Sequence, residues 1–122
     1  MDRIRFIDHK RRRIVLLDFS GMHDSDAGIA LIAEAGRFVQ ALPADGTALT
    51  LTDVTDTTYD RRIIEAIKTM TAANRPHVKA AAVVNKSAIH RAAISMVALF
   101  SRRKIEVFES RQPALDWLVT QG

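Results

Sequence analysis

The sequence predicts an α/β domain with a mixed, mostly parallel five-stranded sheet and four flanking helices, in the order β-β-α-β-α-β-α-β-α. Segments with strand-like alternation are separated by segments with helical spacing along most of the chain. The first two strands are joined only by a short polar stretch, which favours an antiparallel hairpin. The later strands are joined through helices and are therefore expected to run parallel. We expect a single domain, residues 1–122.

Local signals define the hairpin and the first helix. The alternating RIRFID and the apolar RIVLLDFSG lie on either side of HKRRR, as expected of two strands and a tight connection. Asp24 or Ser25 can cap the next helix, and Pro43 ends it. The apolar face of this helix consists of Ile29, Ile32, Val39 and Leu42.

The rest of the chain alternates in the same way. TALTLTDV is predicted as strand three, and Asp60 is predicted to cap a helix that ends at NRP. VKAAAVV, AIHRAAISMVALFSRR and KIEVFES are predicted as strand, helix and strand. RQPALDWLVTQ forms a terminal helix that tolerates Pro113 in its first turn.

Composition excludes several classes of site and protein. The chain has no cysteine, so disulfides, thiolate nucleophiles and Cys-ligated metal sites are excluded. No signal peptide or membrane-spanning stretch is recognisable, and we expect a soluble cytoplasmic protein.

Positive charge is concentrated at the N-terminus. The net charge is +4, and Arg11, Arg12 and Arg13 belong to a strongly basic first segment. They could contact an anionic membrane surface, or they could form a charged hairpin tip that keeps the edge strand from pairing. Nucleic-acid binding is not expected, because aromatic residues are few, with one Trp, one Tyr and five Phe.

Element order and three segments together resemble the STAS domains, and more closely the SpoIIAA-like proteins, which are stand-alone bacterial domains of this size. The segments are IVLLDFSG, LTLTDVT and the stretch from VKAAAVV to ALDWL. The resemblance implies a mixed sheet flanked by helices, a relationship to the anti-sigma-factor antagonists, and a more distant likeness in shape to the CRAL-TRIO lipid-binding domains. It also implies action by binding proteins or small ligands rather than by catalysis.

The turn after strand three departs from the antagonists of this family. Their turn carries an Asp-Ser-Ser-Gly-like motif with a phosphorylated serine. Here Asp60 stands at the position of the motif's Asp, Arg61 falls where the serine would be, and no glycine follows. Arginine at a helix start can attract an anion instead. Thr55, Thr57, Thr58 and Tyr59 are alternative phosphoacceptors, or they simply bond the backbone of the turn.

Ligands of open α/β sheets bind beyond the carboxyl ends of the strands, so we expect the functional surface there. The predicted partner-binding residues are Ser20, Gly21, Asp53, Thr55, Thr58, Arg61, Asn85 and Lys86, with Met96 and Phe100 as an apolar flank. Asp18, Asp53 and Asp56 lack a diagnostic metal spacing, and Ser20 with His23 is the nearest approach to a hydrolytic pair. We therefore expect no enzymatic activity, metal or cofactor.

The third helix has an unusually wide apolar surface. Ile89, Ala93, Met96, Val97 and Phe100 form one stripe, and Ile94, Ala98 and Leu99 widen it. Either the terminal helix around Trp117 covers this surface, or it faces a partner, a second subunit or an apolar ligand.

The sequence thus favours a regulatory or scaffolding domain that binds another protein and that self-associates, for example as a homodimer. One alternative is a binder of a small molecule or lipid, with a pocket between the sheet and helix 87–102. Another is a phosphoacceptor switch at Thr55 or Thr58.

Overall fold

The computed structural model describes residues 2–58, 60–101 and 104–121, apart from the side chains of residues 93 and 96–101. The strands are β1 (Ile4–His9), β2 (Arg12–Asp18), β3 (Ala48–Asp53), β4 (Val78–Val84) and β5 (Ile105–Phe108). The helices are α1 (Ser25–Gln40), α2 (Arg61–Asn74), α3 (Ala88–Ser101) and α4 (Arg111–Gln121), with a 3₁₀ turn at Arg75–His77. The predicted order of elements is confirmed.

The sheet has the strand order β1-β2-β3-β4-β5. β1 is antiparallel to β2, and the other neighbouring pairs are parallel. The predicted mixed, mostly parallel sheet is therefore confirmed. Because β2, β3 and β4 are adjacent and parallel, the loops that follow them lie side by side at one end. We call this surface the crest, and it consists of residues 19–24, 54–58, 60 and 85–87.

One face of the sheet carries α1, α2 and Ile94 of α3. Its core includes Val15, Leu17, Phe19, Ile32, Val39 and Ile63. α1 and α2 approach closely at Gly28, where an added Cβ would lie 2.9 Å from the Ile63 Cδ1. Apolar burial of this kind contributes about 25 cal/mol per Å² and is the main force that holds the helices on the sheet.

α4 covers the opposite face of the sheet. Ala114 and Leu118 of this helix are fully buried. They pack in a second core with Ile14, Leu16, Leu49, Leu51, Ala80, Ala82 and Val84. The alanines of β4 leave room for a helix to approach closely, and Trp117 packs beside Phe108 with ring centroids 5.8 Å apart.

Of the two explanations that the sequence left open for the wide apolar surface of α3, the described residues do not support coverage by the terminal helix. Trp117 packs against the face opposite to the one on which Ile94 packs. Ile89, the first residue of the predicted apolar stripe, is 81% exposed. The described part of α3 thus turns its second apolar face, the one with Ile94, toward the core. Met96 and Phe100 lie outside the described side chains.

The helix caps were predicted correctly. Asp24 caps α1 by accepting a hydrogen bond from the Asp26 amide at 3.0 Å. Asp60 caps α2 by accepting one from the Ile63 amide at 2.8 Å. In each case a carboxylate satisfies an amide that has no partner within the helix.

The β1–β2 hairpin has an unusual turn. His9 pairs with Arg12, which leaves only Lys10 and Arg11 between the strands. Both residues have positive φ, 49° and 69°. Two-residue turns with this backbone normally contain Asn-Gly, because a Cβ is strained there. The hairpin therefore places two long cationic side chains at strained positions.

Candidate functional site

Three neighbouring strands end in the same way at the crest. In each, an Asp or Asn side chain accepts a hydrogen bond from the amide two residues later. Asp18 Oδ1 accepts from the Ser20 amide at 3.0 Å, and Asp53 Oδ1 accepts from the Thr55 amide at 3.0 Å. Asn85 Oδ1 accepts from the Ser87 amide at 2.9 Å. These local bonds close each turn as the strand ends.

Arg111, the first residue of α4, joins two of these strand ends. Its Nε donates to Asp53 Oδ2 at 2.8 Å, and its terminal nitrogen lies 3.2 Å from Asp18 Oδ2. Asp18 and Asp53 are register partners on neighbouring strands. The Asp53 side chain is only 8% exposed, so Arg111 compensates a carboxylate that has little access to water.

Arg111 and the carboxylates of Asp18 and Asp53 stabilise one another's charged forms. Burial alone would raise the pKa of Asp18, but hydrogen bonds from the Ser20 hydroxyl and amide and the charge of Arg111 outweigh burial and lower the pKa. Burial acts to lower the pKa of Arg111, but the carboxylates of Asp53 and Asp18 outweigh it and raise that pKa. Both ions are thus held in their charged forms.

A second arginine reaches the same corner from the N-terminus. Arg3 donates to the carbonyl of Ser20 at 2.8 Å and to that of Asp18 at 3.2 Å. Its guanidinium lies 3.8 Å from Asp18 Oδ1. The start of the first crest loop is therefore held by one residue near each end of the chain, Arg3 and Arg111.

His23 lies between two residues of the neighbouring loop. Its Nδ1 is 3.1 Å from Thr58 Oγ1, and its Nε2 is 3.3 Å from Asp56 Oδ2. Asp56 has a positive φ of 54°, a conformation that Asp tolerates better than most residues. These side chains form an exposed Asp–His–Thr group across two loops.

Two further hydroxyls in or beside the crest have backbone or capping roles. Thr57 Oγ1 donates to the carbonyl of Phe19 at 2.8 Å. The Ser25 hydroxyl donates to Asp60, and this bond, together with the Ile63 amide, lowers the pKa of Asp60. The helix-cap interpretation of the hydroxyl-rich turn is confirmed for Asp60.

The predicted binding residues divide into two groups. Ser20, Asp53 and Asn85 are engaged in the bonds described above and shape the crest from within. Gly21, Arg61 and Lys86 are exposed, and Thr55 and Thr58 are half-buried. The side chains of Met96 and Phe100, like Tyr59 as a whole, lie outside the described part of the chain.

Sequence reasoning missed Arg111, the residue that organises the crest. One feature of the sequence indicated that a cation was needed at this place. Two acidic residues at the ends of adjacent parallel strands need a cation between them, because two neighbouring carboxylates repel each other. The helix that begins after the last strand starts at this same end of the sheet.

The structure does not bring Ser20 and His23 together as a hydrolytic pair. The Ser20 hydroxyl donates to Asp18 at 2.5 Å, whereas the His23 ring contacts Thr58 and Asp56 instead of Ser20. Within residues 2–58, 60–101 and 104–121, no group of three or more His, Asp or Glu residues could hold a metal ion.

A groove and a small cavity lie among the described residues. A groove of about 510 Å³ lies between α1 and α2, with Ile32, Gly36 and Met70 in its wall and Arg37 and Glu65 at its rim. The second cavity lies beneath the crest, beside Phe19 and Val54, and holds about 10 Å³, room for one water molecule. Neither is lined by the described residues of α3, where one alternative interpretation of the sequence placed a ligand pocket. None of the described helices is long and apolar enough to cross a membrane.

Comparison with known proteins identifies the fold. No family model matches the sequence, and no curated protein matches it. The structure is similar to the crystal structure of an uncharacterized protein of the DUF3478 family with a SpoIIAA-like fold from Shewanella loihica PV-4. The TM-score is 0.70 at 16% identity, and the match covers 94% of this chain and 91% of the other.

Proposed function

We propose that this SpoIIAA-like domain is a non-catalytic regulatory module that binds a protein partner through the exposed residues of its crest. The single observation that carries the proposal is the Asp18–Arg111–Asp53 bridge, which fixes neighbouring loops at one end of the sheet. A surface that is ordered before binding loses less conformational entropy when a partner docks. Preorganisation therefore favours a binding role for the crest.

The chemistry of the exposed residues supports a polar contact with a protein. Gly21 is exposed and adds no side chain, so a partner's backbone can approach closely. Arg61 and Lys86 offer cationic donors, whereas Asp56 offers a carboxylate. Mixed charges of this kind favour specificity for one partner surface over another.

Site-specific photocrosslinking in the host cell tests this proposal. A photoreactive residue at position 86 should give a protein adduct of defined mass, because the Lys86 side chain is exposed at the crest. The matched control carries the same residue at position 79, where Lys79 is also exposed but is the second residue of β4, at the other end of the sheet. We expect no adduct of that mass from position 79.

Competition completes the test. Excess wild-type protein should abolish the adduct from position 86, whereas excess Arg61→Glu protein should compete poorly. Equal labelling from positions 86 and 79, or no defined adduct under any growth condition, would contradict the proposal. Sedimentation over a range of concentrations identifies a second copy as the partner if the adduct has twice the mass of the chain.

A specific contact favours phosphorylation of Thr58 as a second candidate function. The Thr58 hydroxyl faces Nδ1 of His23 at 3.1 Å, a position from which a histidine can accept its proton. Arg61 begins the helix that follows, where a phosphate is electrostatically favoured. Thr55 has no comparable contact among the described residues, so Thr58 is the better candidate of the two.

Intact mass measurement tests this second function. Protein isolated from its own host should carry one added phosphate, and the Thr58→Ala variant should lose it while Thr55→Ala keeps it. Loss in the Thr55 variant, or absence of phosphate in all growth states, would contradict the assignment.

A further inference from the structure

The end of the sheet opposite the crest is strongly basic. It contains the hairpin turn, the last turn of α1, the 3₁₀ turn after α2 and the start of β4. We call this surface the basic end, and its exposed cationic residues are Lys10, Arg11, Arg12, Arg13, Arg37, Arg75 and Lys79. Four of them belong to the charged run at residues 10–13, and the fold brings Arg37, Arg75 and Lys79 from three other segments to the same end.

Few acidic groups balance this charge. Asp116 lies 3.2 Å from Lys10 Nζ and neutralises that cation. Asp8 stands opposite Arg13 in the hairpin, and Asp45 accepts bonds from the amide and hydroxyl of Thr47. Arg11, Arg12, Arg75 and Lys79 form no ion pair among the described residues, so their charge faces solvent.

Two backbone irregularities present cations at this end. Lys10 and Arg11 occupy left-handed positions that glycine or asparagine would hold with less strain. Lys79 is the extra residue of a β-bulge, because Ala48 pairs with Val78 and Leu49 pairs with Ala80. Strained positions that persist are often associated with function.

Protection of the edge strand does not account for the patch. Such protection needs charges along the exposed edge, which β1 forms. Arg11 lies in the turn, outside the ladder, and Lys79 lies on β4, an interior strand. These cations therefore need another explanation.

We propose that the basic end binds the phosphate groups of an anionic lipid surface. A bilayer presents phosphates in two dimensions, and the cations are spread in two dimensions as well. Arg11 and Arg12 lie at the sheet's edge, Lys79 lies on β4 with β3 between it and β2, and Arg37 and Arg75 belong to the helical layer. Lysines and arginines near such a surface strengthen binding by about fivefold each.

A nucleic acid fits this end less well. Single-stranded chains need aromatic side chains on which bases can stack. Phe6, the aromatic residue of the hairpin, has its ring 5.1 Å from Phe38 and lies under the Arg13 guanidinium at 4.8 Å. Of the two cavities described above, the groove between α1 and α2 includes Arg37 from the basic end, and the cavity beneath the crest includes none of its cations.

The proposal gives the two ends of the molecule separate roles. A protein bound to lipid through the basic end would direct its crest away from the membrane. The crest would then be presented to partners in solution. Lipid binding stands or falls independently of partner binding at the crest, because the two use different residues.

Vesicle cosedimentation tests the proposal. The full chain is mixed with vesicles of phosphatidylcholine alone, or of phosphatidylcholine with phosphatidylglycerol. We expect binding only to the vesicles that contain phosphatidylglycerol, and we expect it to fall at high salt, which shortens the Debye length from about 10 Å at 0.1 M to about 3 Å at 1 M.

Paired variants locate the contact. Arg11→Gln with Arg12→Gln, and separately Arg75→Gln with Lys79→Gln, should each weaken binding by roughly 25-fold. The matched control removes two exposed cations from α2, Arg62→Gln with Lys68→Gln, and should keep wild-type binding. Circular dichroism confirms that each variant is folded.

Three outcomes would overturn the proposal. The first is equal binding to both vesicle types, or to neither. The second is an equal loss of binding in the Arg62 and Lys68 control, which would indicate an effect of net charge alone. The third is tighter binding of duplex DNA than of phosphatidylglycerol vesicles at the same salt concentration, which would assign the basic end to a nucleic acid.

Discussion

The two ends of the sheet differ in how far their charges are balanced and in which residues have strained backbone conformations. At the crest, Asp18 and Asp53 are balanced by Arg111, and positive φ values fall on Gly21, at 70°, and on Asp56, a residue type that tolerates them. At the basic end, positive φ values fall on Lys10 and Arg11, and cations gather with few counterions. The ion pairs of the crest thus hold its loops in one conformation. The basic end has unbalanced positive charge and strained turn residues, and both lower the stability of the fold.

One helix connects the two ends. α4 contributes Arg111 to the crest, and its Asp116 contacts His9 Nε2 at 2.8 Å and Lys10 Nζ at 3.2 Å at the base of the hairpin. Ala114, which lies between these contacts, and Leu118, which follows them, are fully buried against the sheet. Substitutions along α4 and in the turns can therefore separate the contributions of the two ends.

The largest effect is expected from Leu118→Ala, which weakens the attachment of α4 and so affects both ends. Truncation of a fully buried leucine should lower the free energy of unfolding by about 2–5 kcal/mol. Urea unfolding measures the change. The matched control is Ile89→Ala, at a side chain that is 81% exposed, and it should change stability by less than about 0.5 kcal/mol. Similar losses in both variants would contradict the assigned packing.

Arg111→Ala should loosen the crest alone. It leaves Asp53 without its cation, and we expect a loss of about 1–3 kcal/mol, below that of a fully buried pair because Arg111 is 39% exposed. Hydrogen exchange should accelerate at the amides of Ser20 and Thr55 and stay unchanged at Arg12. Arg12→Ala, at an exposed cation, is the control and should change stability by less than about 0.5 kcal/mol. Uniform acceleration in Arg111→Ala would argue against a local role.

Substitutions at two positive-φ positions, Arg11 and Gly21, should change the free energy of unfolding in opposite directions. Arg11→Gly relieves strain and should raise the free energy of unfolding by about 0.5–1 kcal/mol. Gly21→Ala should lower it by about 1–2 kcal/mol through the backbone alone, because an added Cβ meets no atom within 4 Å. Chemical denaturation measures both. A loss of stability in Arg11→Gly would show that the arginine stabilises the folded hairpin.

Asp116→Asn should have the smallest effect, confined to a range of pH. Hydrogen bonds from His9, then from Lys10 and Gln112, lower the pKa of Asp116 to about 2. A carboxylate with a lowered pKa stabilises the fold above its unfolded pKa of about 3.9, and the contribution is lost as pH falls through the folded pKa.

Stability measured against pH tests this prediction. The wild type should exceed Asp116→Asn above pH ~4 and converge with it as pH approaches ~2. Arg111 contacts should not change, so Ser20 and Thr55 should keep their protection from exchange. A difference between the two proteins that persists unchanged to the lowest pH would show that charge is not its source.

The order of elements could be predicted because its signals are local. Asp24 and Asp60 cap helices through amides two or three residues away. The bridge at the crest could not be predicted in this way, because Arg111 and Asp53 are 58 positions apart. A charged residue at the start of an amphipathic helix gives no indication, by itself, of which strand end it will reach.

The sequence left the packing of α4 open for a different reason. The strands follow one another across the sheet in chain order, so right-handed crossovers place α1, α2 and α3 on the same face. The opposite face then has only the terminal helix to cover it. Strand order is a tertiary property, and local periodicity in the stretch around Trp117 does not contain it.

The repeated strand ends have a consequence for how this domain can diverge. Asp18-Phe19-Ser20, Asp53-Val54-Thr55 and Asn85-Lys86-Ser87 each close their own turn within three residues. Whatever follows such a turn does not have to hold the strand in place. The loops beyond residues 20 and 55, which contact each other through His23 and Thr58, can therefore be exchanged together without loss of the strand ends, which makes this end of the sheet a suitable scaffold for grafting new recognition segments.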